Sequence, residues 1–108
     1  MPRFMIQFAY TPEAWQALVK NPMDREAAIR TLVEQMGGTF TSLDYCFGEY
    51  DGLVIFEAPD SSTALSTVLA AITPGHLKST KTTELFSMRE MTGALQKAGG
   101  VTYSGPQR

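Results

Sequence analysis

The sequence predicts an α+β fold in which two strand–helix–strand units are joined by a hairpin. The alternation over Arg3–Tyr10 and the unbroken apolar run Leu53–Phe56 are typical of strands with both faces largely covered. A helical apolar pattern follows each of them and ends at Gly37-Gly38 or Pro74-Gly75, which are common helix stops. Between the halves, Gly48–Gly52 supplies the backbone freedom of a tight turn. The element order is therefore strand, helix, strand, strand, helix, strand.

The first helical region begins directly after the first strand and is interrupted once. Thr11 is placed to cap it, and Pro12 and Glu13 suit a first turn, where a missing amide and a negative charge are favourable. Asn21-Pro22 breaks the apolar stripe, and Asp24 is placed to cap the continuation. We therefore expect one helical region in two pieces.

The second half contains the more polar strands. Residues 39–47 predict the second strand and residues 76–87 the fourth, which is rich in Thr and Lys. Residues 60–73 predict an amphipathic helix, because their apolar positions recur at helical spacing. A short helix over residues 88–97 and a tail over residues 98–108 complete a single domain of 108 residues.

This order predicts a ferredoxin-like βαββαβ fold with a C-terminal short helix. In that fold the first and third strands are central, and these are the most apolar strands here. The predicted edge strands carry the charged residues Asp44, Lys78, Lys81 and Glu84. If both helical regions lie on one sheet face, the other face stays uncovered, so we expect a homodimer or higher homo-oligomer that closes a dimeric α/β barrel.

Composition and charge exclude several classes of function. The net charge is −2 and the basic residues are scattered, so nucleic acid is not an expected partner. No apolar run approaches the roughly 20 residues of a membrane span, and no signal-peptide pattern precedes the first strand, so we expect a cytoplasmic protein without membrane contact. Cys46 is the only cysteine, which excludes an internal disulfide. We expect no metal and no cofactor.

Motifs distributed over nearly the whole chain resemble those of the GYD-domain family. The matching segments are Met1-Pro2, Arg25, Gly37-Gly38, Gly48-Glu49-Tyr50-Asp51, Glu57-Ala58-Pro59-Asp60, Thr80–Thr83, Ala94-Leu95, Lys97-Ala98-Gly99, Tyr103 and Pro106. The resemblance implies the fold of dimeric α/β-barrel proteins and carries no catalytic residues with it.

Three residues are candidates for acid–base catalysis. Tyr50 and Asp51, together with Glu49 of the same hairpin, form a set usable for proton transfer, and His76 is the only histidine, a side chain that ordinarily titrates near neutrality. Each has a structural alternative, which is favoured: Asp51 can satisfy turn amides, and His76 can occupy a surface loop. For Cys46 a buried thiol is favoured over an activated nucleophile.

Aromatic side chains are more numerous than a simple core of this size requires. Ligand cavities are mainly apolar and aromatic, with a few polar groups that fix orientation. The candidate ligand-binding residues are Tyr10, Trp15, Tyr45, Phe47 and Tyr103. Tyr103 belongs to the tail, where an alternation of apolar and polar residues suggests a cover over the domain or its partner.

The expected function is the binding or conversion of a small apolar or aromatic molecule inside the barrel. As an enzyme the protein would act without a cofactor, by oxygenation, isomerisation or proton transfer, which is an analogy at the level of the fold. The alternative is a non-catalytic regulatory or assembly module. The sequence contains no compact set of nucleophile, base and acid that would exclude this alternative.

Overall fold

In the described part of the chain, four strands and four helices follow one another in the predicted order. The computed structural model describes residues 1–106. The strands are β1 (Arg3–Tyr10), β2 (Thr39–Tyr45), β3 (Gly52–Glu57) and β4 (Leu77–Leu85). The helices are α1 (Pro12–Lys20), α2 (Arg25–Gln35), α3 (Ser61–Ile72) and α4 (Met88–Gly99). All strand pairs are antiparallel in the order β2-β3-β1-β4, which confirms the ferredoxin-like fold with β1 and β3 at its centre.

The helices begin where the capping residues were expected. The side chains of Thr11 and Asp24 accept hydrogen bonds from backbone amides three residues further on, at 3.1 and 3.2 Å. Asp60 does the same for α3 at 2.7 Å. These bonds satisfy amides that lack a partner within the helix. The interruption between α1 and α2 is confirmed.

The core lies between the sheet and helices α1, α2 and α3. The buried sheet residues alternate along the strands, and each helix adds one or two apolar side chains to them. The members are Phe4, Ile6, Phe8, Tyr10, Phe40, Val54 and Phe56 of the sheet, Ala14, Val33, Ala64 and Val68 of the helices, and Ala58. On the opposite sheet face, Met5, Leu53 and Ile55 are only half-buried, since none of these three helices covers them. The expectation that β1 and β3 are covered on both faces is therefore met on one face within this chain.

Several element ends differ from the sequence prediction. β2 ends two residues early, at Tyr45, and the Cys46 amide then donates to the Asp51 carbonyl at 2.8 Å and closes the hairpin. β4 begins after His76, whose carbonyl accepts from the Thr11 amide at 2.9 Å and so belongs to a turn, and it ends at Leu85. α4 continues two residues beyond the predicted end, and residues 107–108 of the predicted tail lie outside the described residues.

Gly48 and Gly52 serve the hairpin in different ways. Gly48 has a φ of 128°, a conformation that side chains disfavour. Gly52 does not have a positive φ, but a Cβ atom there would lie 2.5 Å from Cζ of Phe8 and 3.0 Å from the carbonyl oxygen of Asp44. Backbone freedom explains Gly48 as expected, whereas close packing against Phe8 explains Gly52.

Gly38, like Gly52, lies where there is no room for a Cβ atom, and this gives a prediction about stability. A Cβ atom at Gly38 would overlap the backbone carbonyl oxygen of Glu57 and approach Cγ1 of the buried Val33 to 3.1 Å. We expect Gly38→Ala to lower the free energy of unfolding by about 1–3 kcal/mol, measured by urea denaturation. Gly93→Ala is the control, because it meets open space in α4 and should raise helix propensity. Equal midpoints for Gly38→Ala and the wild type would contradict this packing.

Candidate functional site

Four of the predicted site residues meet where β1 ends and the β2–β3 hairpin begins. The hydroxyls of Tyr10 and Tyr45 are 3.0 Å apart, and the rings of Tyr10 and Trp15 pack edge to face with centroids 5.0 Å apart. Asp51 Oδ2 accepts hydrogen bonds from the Tyr10 backbone amide at 2.9 Å and from the Trp15 indole N–H at 3.2 Å. We call Tyr10, Trp15, Tyr45 and Asp51 the aromatic cluster.

The strand register brings this cluster together. Gly52 is paired with Phe8 of β1 on one side and with Tyr45 of β2 on the other. Because Gly52 has no side chain, the rings of Phe8 and Tyr45 approach across it, with centroids 6.1 Å apart and nearly perpendicular planes. The amide of Asp51 donates to the Phe8 carbonyl at 2.8 Å, which extends the pairing of β3 with β1 by one residue. This bond holds the Asp51 carboxylate within hydrogen-bond distance of the Tyr10 amide and the Trp15 indole.

An apolar cavity of about 200 Å³ lies between the sheet and helices α2 and α3, and it is partly open to solvent, since Ala28, Ala70, Pro74 and His76 of its lining are exposed. Its apolar lining comes from both layers: Ile6, Phe8, Val54, Phe56 and Leu77 from the strands, Ala28, Ile29, Leu32 and Val33 from α2, and Ala70, Ala71 and Pro74 from α3 and the turn after it. The alanines leave the space between the helices unfilled. The polar lining residues are Thr67, Tyr10, Arg25 and His76. We call this space the inner cavity.

The phenol of Tyr10 is held in its protonated form. Burial raises the pKa of Tyr10 well above its usual range, and the hydrogen-bonded hydroxyl of Tyr45 acts in the same direction. The positive charge of Arg25 opposes this shift without reversing it. Tyr10 therefore acts as a hydrogen-bonding hydroxyl at physiological pH and not as a base.

A more open groove of about 490 Å³ borders the outer side of the aromatic cluster. It is lined by Trp15, Leu18, Pro22, Met23, Arg25, Tyr45, Cys46, Phe47 and Asp51. A third space of about 150 Å³ shares Leu18 and Met23 with this groove, and shares Tyr10 and His76 with the inner cavity. Arg25 lines all three spaces.

Arg25 is the site residue that sequence reasoning missed. In the sequence it belongs only to the motifs of the family resemblance, although its position carries a signal. It is the first residue of α2, directly after the break that turns the chain at Asp24. A cation at a helix start is opposed by the helix dipole and therefore points to another role for its charge.

The remaining predicted residues lie outside the aromatic cluster. Phe47 borders the outer groove and His76 borders the inner cavity, so these two residues lie on different sides of the aromatic cluster. Tyr50 lines neither space; its carbonyl accepts a hydrogen bond from Cys46 Sγ at 3.3 Å. Cys46 is exposed, so the buried thiol was a wrong prediction, because β2 ends before this residue. Tyr103 is 87% exposed, and the described residues of the tail, up to residue 106, are exposed and do not cover the domain.

Metal-binding clusters and membrane-spanning helices are both absent from the part of the chain that the structure describes. Within residues 1–106, no three His, Cys, Asp or Glu side chains form a group that could hold a metal ion. In the same range, no helix has the length and apolar character needed to cross a membrane.

A family model decides the relationship that the motifs suggested. The model of the GYD domain matches residues 4–95. The chain belongs to the GYD-domain family. The matched range includes the aromatic cluster, the residues that line the inner cavity and most of α4. No curated protein is similar enough to count as a relative of this GYD-domain protein.

Solved structures with this fold are distant in sequence. MtbAldR has a TM-score of 0.53 at 16% identity, over 80% of this chain and 52% of its own, so the GYD-domain chain spans about half of that protein. FFRP-DM1 has a TM-score of 0.50 at 15% identity, over 80% of this chain and 100% of its own. TTHA0845 from Thermus thermophilus has a TM-score of 0.53 at 14% identity, over 81% of this chain and 95% of its own. These likenesses show the fold alone.

Proposed function

We propose that this GYD-domain protein binds a small aromatic molecule with an anionic group in the inner cavity. The observation that supports this most directly is an apolar space with Tyr10, Arg25 and His76 among its few polar lining residues. Such a lining is typical of ligand sites in which a few polar groups fix the orientation. Its volume of about 200 Å³ suits a ligand of one or two rings, since an engineered apolar cavity of about 150 Å³ holds benzene.

The polar lining residues define the class of ligand. The guanidinium of Arg25 matches the geometry of a carboxylate and bears a permanent positive charge. The phenol of Tyr10 stays protonated, and so it presents a hydroxyl rather than a negative charge to the ligand. The ring of such a ligand would then lie between the central strands and the alanines of α3. A benzoate-like anion fits this arrangement better than a cation.

Binding is favoured over conversion by the state of the candidate catalytic groups. The Asp51 oxygen that faces the cluster already accepts two hydrogen bonds, and Tyr10 keeps its proton. His76 lines the inner cavity and remains as the one predicted catalytic residue beside it. Proton transfer by His76 to or from the ligand is therefore the second candidate function.

A series of probes of one size tests the binding site. We expect benzoate to bind more tightly than benzyl alcohol, and benzylamine to bind least, in titrations followed by calorimetry. Ala71→Phe should abolish all binding, because it fills the inner cavity from α3. Ala27→Phe is the matched control, since Ala27 is exposed on α2 and does not line the cavity. Benzoate binding that survives Ala71→Phe would overturn the proposed site.

Arg25→Gln separates charge recognition from apolar burial. We expect benzoate affinity to fall by about tenfold or more, while the affinity for benzyl alcohol stays the same, because only the anion uses the guanidinium. An equal loss for both probes would mean that Arg25 shapes the cavity rather than reads the charge. Native mass spectrometry of protein purified from its own host is a separate test that would identify a retained molecule. The Ala71→Phe variant should not retain this molecule.

We also propose that the uncovered sheet face forms a homodimer interface and that the protein acts in the cytoplasm. The apolar centre of this face consists of Met5, Leu53 and Ile55. Helices α1, α2 and α3 lie on the opposite face of the sheet and do not cover these residues. Ile55→Lys should raise the dissociation constant of the homodimer by about tenfold or more. Val19→Lys, at an exposed apolar position on α1, should leave it unchanged. Light scattering that shows a monomeric wild type at micromolar concentration would contradict the interface.

A further inference from the structure

Helix α4 is fully formed but leaves its apolar stripe uncovered. A capping box starts the helix: the Glu90 amide donates to Ser87 Oγ at 3.1 Å, and the Ser87 amide donates to Glu90 Oε1 at 2.8 Å. None of the residues of α4 is buried, and Met88, Met91 and Leu95 are 74%, 48% and 55% exposed. A helix this short is marginal in isolation and usually depends on tertiary contacts of its apolar face. The stripe therefore lacks a partner within the described part of this chain.

The dimensions of the chain show that it exposes more surface than a compact domain of its length. The radius of gyration is 17.6 Å and the longest dimension 58 Å, whereas a compact domain of this length has a radius near 13 Å. The accessible surface is 7692 Å², whereas a compact monomer of this mass exposes roughly 5,900 Å². The excess, which includes the uncovered sheet face as well as α4, is on the order of twice the 800 Å² that each partner contributes to a standard interface.

The sequence of the stripe indicates what covers it. Met88, Met91, Leu95 and Ala98 recur at alternating spacings of three and four residues, which is the narrow seam of a two-helix coiled coil. The charged residues of the helix lie off the seam. The spacing is the same from either end of the helix. In an antiparallel pair of two such helices, Met88 therefore lies opposite Ala98, and Met91 lies opposite Leu95. A stripe with this symmetry is complementary to a second copy of itself.

We propose that α4 pairs antiparallel with α4 of a second copy of this chain across a two-fold axis. Met91 of each chain then packs against Leu95 of the partner, and the smaller Ala98 leaves room for Met88. Phe86 and Val101, both exposed and just beyond the helix ends, extend the same contact in each direction. This pairing does not depend on the ligand proposed for the inner cavity.

Disulfide trapping tests the register of the pair. In a Cys46→Ser background, which removes the only native thiol, chains with Met91→Cys are mixed with chains with Leu95→Cys. We expect their mixed disulfide to form about tenfold faster than that between Met88→Cys and Met91→Cys chains, which are offset by roughly 10 Å along the axis. Equal rates for the two mixtures would overturn the antiparallel register. An intrachain disulfide in the double variant Leu69→Cys with Leu95→Cys would also overturn it. Such a bond would place α4 against its own α3, where Leu65 and Leu69 are 59% and 53% exposed.

A charge placed on or beside the seam tests whether the stripe is an interface. We expect Leu95→Lys to raise the dissociation constant for the association of two chains through α4 by about tenfold or more, measured by sedimentation equilibrium. Gln96→Lys adds the same charge to the neighbouring position off the seam and should change nothing. Because α4 contributes nothing to the core, both variants should keep the cooperative unfolding of the domain. Equal dissociation constants for the two variants and the wild type would overturn the proposal.

Discussion

Replacing Phe56 by alanine should lower the free energy of unfolding by about 3–5 kcal/mol, a large part of the roughly 5–15 kcal/mol that stabilises a typical domain. Phe56 is 1% exposed and lies in the central strand β3. It is paired with Phe4 on one side and with Phe40 on the other, so its ring connects three strands of the core. Urea denaturation measures the loss directly. A loss below about 1 kcal/mol would mean that the core collapses around the missing ring.

Phe4→Ala is the matched control, because it tests whether the inner cavity lies where the structure places it. Phe4 is 3% exposed and packs against Phe56 with ring centroids 5.7 Å apart, but it does not line the cavity. Only Phe56→Ala should enlarge the cavity, and toluene should raise the melting temperature of that variant more than that of Phe4→Ala, since a ligand stabilises the state that binds it. Equal shifts in both variants would contradict this position for the cavity.

The fold could be predicted because its signals are local. Thr11, Asp24 and Asp60 each cap a helix through an amide three residues away, and the alternation within β1 needs no knowledge of distant residues. The errors at the strand ends have another origin. β2 ends at Tyr45, and the Cys46 amide beyond it bonds to the Asp51 carbonyl across the hairpin, a contact that exists only once the two strands have paired. Cys46 is exposed at this end of the hairpin.

The site could be predicted only in part, because its geometry depends on register. Residue type alone selected Tyr10, Trp15, Tyr45 and Asp51, but their approach depends on Gly52, which is paired with a different strand on each side. The inner cavity has no local signal, since it arises where alanines of two helices face the same strands. Arg25 was not predicted as a site residue because its position beside the three spaces depends on how α1, α2 and the sheet pack together.

Asp51→Ala should be the most damaging change within the aromatic cluster. Its carboxylate accepts hydrogen bonds from the backbone amide of the buried Tyr10 and from the indole of Trp15. Hydrogen bonds to a charged group contribute about 1.5–3 kcal/mol, and the alanine variant should lose on the order of that free energy of unfolding. Trp15 is the only tryptophan, so its fluorescence should also shift to longer wavelength as the indole becomes free. Glu49→Ala, at an exposed carboxylate of the same hairpin, should change stability by less than about 0.5 kcal/mol.

Asp51→Asn then separates a supporting role from a chemical one. The amide keeps an oxygen that can accept both hydrogen bonds but loses the negative charge. If Asp51 supports Tyr10 and Trp15, the asparagine variant should keep most of the stability and the full affinity for benzoate. If the carboxylate takes part in the site directly, stability should stay while benzoate affinity changes, because removing a negative charge next to an anion strengthens its binding. The first outcome is the one we expect, since Asp51 lines the outer groove and not the inner cavity.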